Sequence, residues 1–90
     1  MRELTANQTK AHSIRVTPEF DAQMKPRYRF THFVWSHSDC VWVPVSDEQV
    51  VENRGDIDDW LRNIGLIQVG RYLPISYNSN TYEADLMEMS

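Results

Sequence analysis

The segment from Arg27 to Trp35, followed after Ser36-His37-Ser38-Asp39 by Cys40 to Val45, constrains the chain most. It reads as a β-hairpin that is apolar on both faces. Paired about the polar gap so that Trp35 opposes Cys40, one face carries Phe30, His32, Val34, Val41, Val43 and Val45. The other carries Phe33, Trp35, Cys40 and Trp42, with Arg27 and Arg29 at its end. A small sheet needs only one apolar face to fold. A second one is either covered by the rest of the chain or is a contact surface.

The chain has little material for covering it. Ninety residues make one domain. A chain of this length buries roughly 60–65% of its unfolded surface, enough for one core. A hydrophobic content of 41% and three tryptophans indicate a folded protein. No apolar run approaches the roughly 20 residues of a membrane span. Met1-Arg2-Glu3-Leu4-Thr5 has no apolar segment behind it, so no secretory signal is expected. One cysteine cannot close an internal disulfide, which fits a reducing compartment, and a cytoplasmic location is expected.

Around the hairpin the signals are local. Residues 1–12 are polar and without period and read as a flexible arm. Ser13 to Val16 alternates like a short edge strand. Thr17-Pro18-Glu19 is a helix-start signal, giving one or two turns over 17–24 that stop before Lys25-Pro26. Pro44 suits a sheet edge. Ser46 and Gln49 form a capping box, so a helix is expected over 47–64, continuous or broken at Asn53-Arg54-Gly55. Val50, Ile57, Leu61 and Ile64 form its apolar stripe. Gly65 ends it, and 66–75 reads as a strand with a bulge at Gly70. The tail, 76–90, is expected to be loosely ordered. The expected fold class is α+β: a small antiparallel sheet of the hairpin 27–45 and strand 66–75, in order 2-1-3, with the helix packed on the valine-rich face. The aromatic face then stays open unless residues 1–26 or the tail fold over it.

The chemistry expected of this layout is binding. Phe33, Trp35 and Trp42 each offer about 150–250 Å² of buriable area. Trp, Tyr and Arg dominate interface energetics, so these three with Arg27 and Arg29 are the expected partner-binding set. Six acids fall between Asp47 and Asp59, and Glu48, Glu52 and Asp59 are expected to steer the helix toward a basic surface. Charge is uneven: residues 1–30 carry +3 and residues 31–90 carry −7, for a net −4. An alternative is a single-stranded nucleic-acid module, with bases on the rings and phosphates on Arg27 and Arg29, which the net negative charge disfavours. A virion or assembly component, using the arm to hold a neighbour, is a further alternative.

No metal, cofactor or catalytic group is expected. His32, His37, Asp39 and Cys40 match no zinc spacing, and the register puts His32 and Cys40 on opposite faces. Nothing places a helix N-terminus beside Cys40 to make it a nucleophile with His37. There is no phosphate-binding glycine loop and no Ser-His-Asp pattern. Over residues 28–75 the order of elements, a hairpin ending in Val-Pro, an acidic helix and a strand ending in Leu-Pro, resembles that of small phage proteins that inhibit host RNA polymerase. That resemblance implies a non-catalytic inhibitor of a larger host protein, such as a polymerase or a defence nuclease.

Overall fold

Alternation of apolar and polar residues runs further along this chain than the hairpin, and strands follow it. In the computed structural model, which describes residues 11–89, the elements are β1 (His12–Phe20), β2 (Pro26–Ser36), β3 (Val41–Pro44), β4 (Gln49–Val51), α1 (Gly55–Asn63), β5 (Leu66–Pro74) and β6 (Tyr82–Glu88). All six strands pair antiparallel, in the order β3-β2-β1-β6-β5, with β4 beside β3 on the same edge of β2. The protein is thus predominantly sheet with one short helix.

The expected order 2-1-3 is corrected by two strands. Residues 12–20 form β1, the middle strand of the order, in register with β2 from His12↔Val34 to Phe20↔Pro26. Residues 82–88, expected within a loosely ordered tail, form β6, which separates β5 from the hairpin. Residues 1–10 of the expected arm lie outside the described residues.

The expected helical turns over 17–24 are strand and turn instead. Pro18 is tolerated in β1 because β6 has already ended beside it: the last β1–β6 pair is Val16↔Tyr82. The Pro18 carbonyl accepts a hydrogen bond from Asn80 Nδ2 at 3.1 Å. Asp21 then closes the turn into β2, its Oδ1 accepting from the amides of Gln23 and Lys25 at 2.8 and 2.9 Å. The expected helix over 47–64 is also corrected. Val50 and Val51 are β-branched and pair with Arg29 and Tyr28 as part of β4, and the helix starts only at Gly55. Ser46 therefore caps nothing, and its buried Oγ has no hydrogen-bond partner among the described residues. Gly65 ends α1 with φ +82°, as a left-handed terminating residue does.

The buried cluster is Ile14, Val16, Phe30, Leu66, Ala84 and Leu86 from the sheet with Ile57 and Leu61 from α1. The registers Val16↔Phe30 and Ile14↔Ala84 put the β1, β2 and β6 members on one side of the sheet. Each fully buried aliphatic or aromatic side chain contributes about 1.5–3 kcal/mol. Trp60 packs edge-on against Phe30 at 5.1 Å between ring centres. The helix does not cover the valine-rich end as expected: Val41, Val43 and Val45 are 48%, 41% and 55% exposed. Among the described residues no helix is long and apolar enough to cross a membrane.

Candidate interaction face

Side chains alternate across a strand, so the residues between the core positions share the opposite side of the sheet. Trp35 pairs with Trp42 and Phe33 with Pro44. This register differs by two residues from the expected opposition of Trp35 and Cys40. A shift of two keeps the paired side chains on their expected faces, whereas a shift of one would have exchanged the faces; Cys40, expected on the aromatic face, leaves the strand. The four-residue loop His37–Cys40 explains the shift. The Cys40 amide donates to the Ser36 carbonyl at 2.8 Å, and Cys40 takes φ +55° in the left-handed region. Cys40 is exposed there, with its thiol against the His37 carbonyl.

The two indoles meet edge-to-face, 5.4 Å between ring centres at 69°. Such pairs add about 0.5–1.5 kcal/mol beyond area burial. The Arg15 guanidinium lies 4.8 Å from the centre of the Phe33 ring. Phe33 is opposite Ser13, which is buried and donates its hydroxyl to the Ala84 carbonyl at 3.3 Å. Phe33, Trp35 and Trp42 are half-buried, and their aromatic and cation contacts are to other strand residues of the same side. Further across, Asp85 opposes Val69 and Met87 opposes Ile67, adding an exposed aliphatic strip.

The ionic end of this side is internally paired. Glu19 accepts from Arg27 Nε, and from Arg29 at 3.0 and 3.2 Å. Arg29 also donates to Glu48 at 2.8 Å. The Arg29 hydrogen bond, opposed by partial burial and helped by Arg27, holds the Glu19 carboxyl below its usual range. Glu19 and Glu48 in turn raise the Arg29 guanidinium. Arg15 approaches Glu83 at 3.7 Å. Arg27 and Arg29 lie on the same side of the sheet as the aromatic residues, with Thr31 between Arg29 and Phe33, and each already holds a carboxylate.

The acidic residues are not on one helix. Glu48 lies between β3 and β4, Glu52 is exposed in the turn after β4, and Asp59 is exposed on α1 beside Arg62. Arg15 and Glu19 were not among the expected site residues. The signal was present: the alternation Ser13, Arg15, Thr17, Glu19 continues unbroken past the point where Pro18 suggested a helix.

The core side holds a second polar group. His12 Nδ1 lies 3.0 Å from His32 Nε2, and His12 Nε2 lies 3.4 Å from Glu88 Oε2. They border an open cavity of about 410 Å³ walled by Trp60, Ile64, Leu66 and Met89. Burial, and then the charge of His12, lowers the His32 pKa. With both rings neutral, His32 donates to His12 and His12 donates to Glu88. Protonating both rings would set two donors face to face. Among the described residues no group of three or more His, Cys, Asp or Glu is arranged to hold a metal ion. Compared with protein-family models, curated proteins and solved structures, the chain has no significant match.

Proposed function

We propose that this protein is a small non-catalytic interaction module that binds a larger protein through the side of the sheet carrying Phe33, Trp35 and Trp42. The observation that supports the reading is that the Trp35–Trp42 pair lies on the side opposite the buried cluster, where its aromatic contacts are with strand neighbours. Amphipathic rings held rigid on a sheet make large contact area at low entropic cost. Charge favours a protein partner over nucleic acid. Arg15, Arg27 and Arg29 are offset by Glu83, Glu19 and Glu48, so phosphates would have to displace existing ion pairs. A partner presenting apolar side chains ringed by polar groups meets the face without breaking them.

Inhibition of a host nucleic-acid enzyme is the activity we infer for such a module, by occlusion of the surface it covers. The element order that resembled phage inhibitors changes in the structure, since the acidic helix is halved and a strand precedes it. The chemistry of the face therefore carries the proposal. The test compares wild type with Trp35→Ala/Trp42→Ala in an affinity capture from native host extract, followed by titration of the purified pair. The double variant is expected to fold and to bind at least about 30-fold more weakly, or about 2 kcal/mol. Equal affinity of the folded variant would refute the assignment.

A further inference from the structure

The hydrogen-bonded chain on the core side fixes the tautomers of the two rings it joins. The facing nitrogens of His12 and His32 are 3.0 Å apart and the ring centres 5.2 Å, with the planes 23° apart, so the rings meet nearly end-on through one N–H···N bond. An ionised carboxylate only accepts. Neutral His12 therefore carries its proton on Nε2, toward Glu88 Oε2 at 3.4 Å, and offers Nδ1 as an acceptor. His32 must then carry its proton on Nε2 to donate to it. The remaining nitrogen, His32 Nδ1, is an unprotonated acceptor to which no described residue donates.

That acceptor belongs to a site poor in water. His32 is 5% exposed and forms part of the wall of the cavity of about 410 Å³. Small-molecule sites span about 300–1,000 Å³. Most of the wall is apolar: Trp60 is half-buried, and Ile64 and Met89 are 45% and 42% exposed. Ser46, whose buried hydroxyl oxygen lacks a partner among the described residues, is in the same wall.

We propose that this cavity binds a small neutral phenol, its hydroxyl donating to His32 Nδ1 and its ring lying against Trp60. A lone acceptor selects a donor, which a carboxylate lacks, and the ionised Glu88 at the far end of the chain repels anions. An ammonium also donates, but burying its charge beside Trp60, Ile64 and Leu66 is costly. A flat ring suits Trp60, which already meets Phe30 and His32 edge-on. The cavity is on the side of the sheet opposite Trp35 and Trp42, so this site is independent of what that face binds.

Acid removes the acceptor whichever ring is protonated. A proton taken by His32 goes to Nδ1. A proton taken by His12 makes its Nδ1 a donor, so His32 accepts at Nε2 and carries its own proton on Nδ1. His12 on β1 and Glu88 on β6 are the other titratable groups on the cavity wall, and α1, β5 and Val45-Ser46 contribute none.

NMR titration of the full chain with phenol, toluene and benzoate tests the proposal. At about pH 8, phenol is expected to shift the Trp60 indole and His32 Nδ1 resonances, and benzoate is expected not to bind. Phenol is expected to bind about tenfold more tightly than toluene, which has the ring without the donor. That preference is expected to vanish at about pH 5.5, and in His32→Leu. The wild-type comparison decides the matter even if His32→Leu does not fold. The proposal is overturned by any of four results: no saturable shift with phenol, equal affinities of wild type for phenol and toluene at the higher pH, a phenol preference that survives in acid or in folded His32→Leu, or shifts at Trp35 and Trp42 with none at Trp60.

Discussion

Glu19 accepts hydrogen bonds from both Arg27 and Arg29, and with Glu48 on Arg29 the two guanidiniums are balanced by two carboxylates. It also sets part of the acid response. The folded-state pKa of Glu19 is depressed, so its contribution is present above the ordinary value of 4.5 and is lost as pH falls below it. His32 acts earlier. Its folded-state pKa lies below the ordinary 6.5, so the unfolded chain binds the proton more readily and stability falls as pH drops through 6.5. Urea midpoints measured from about pH 8 to about pH 5.5 are expected to decrease for wild type and to decrease less for His32→Asn. Equal slopes would show that the proton is taken up elsewhere. The His12 ring faces it and Glu88 lies beyond His12, and Glu88→Gln tests that outer link.

At the scale of elements, the hairpin was legible because period-two alternation and a polar gap define it without reference to anything distant. The aromatic side survived even a two-residue error in register, since the alternation of strand side chains depends on parity alone. Elements whose stability comes from partners were not legible. Thr17-Pro18-Glu19 has the local chemistry of a helix start, and only the early end of β6 makes room for a proline in β1. Val50 and Val51 fit a helical stripe equally well, and pairing with Tyr28 and Arg29 decides for strand. Two substitutions separate the core helix from the hairpin tip. Leu61→Ala is expected to cost about 2–5 kcal/mol by denaturant unfolding, because the side chain is 1% exposed. Val43→Ala, on a 41% exposed residue, is expected to stay within about 0.5–1 kcal/mol of wild type. Gly65→Ala is expected to cost about 1–2 kcal/mol from its φ of +82° alone, since a Cβ there meets no atom within 4 Å.

At the scale of the molecule, the buried cluster draws its residues from one side of a six-stranded sheet and leaves aromatic and aliphatic side chains on the other. The first strand lies in the plane of the sheet instead of roofing the tryptophans, so residues 12–20 extend the exposed side and add Arg15 and Glu19 to it. Trp35 and Trp42 lie half-buried on the side of the sheet opposite the core. Equilibrium urea denaturation of Trp35→Ala/Trp42→Ala beside Phe30→Ala tests it most directly, since Phe30→Ala removes a fully buried ring at about 3–5 kcal/mol. The double tryptophan variant is expected to unfold cooperatively at a higher urea midpoint than Phe30→Ala. A double variant that is less stable than Phe30→Ala, or that does not fold, would place the indoles in the core and contradict the account.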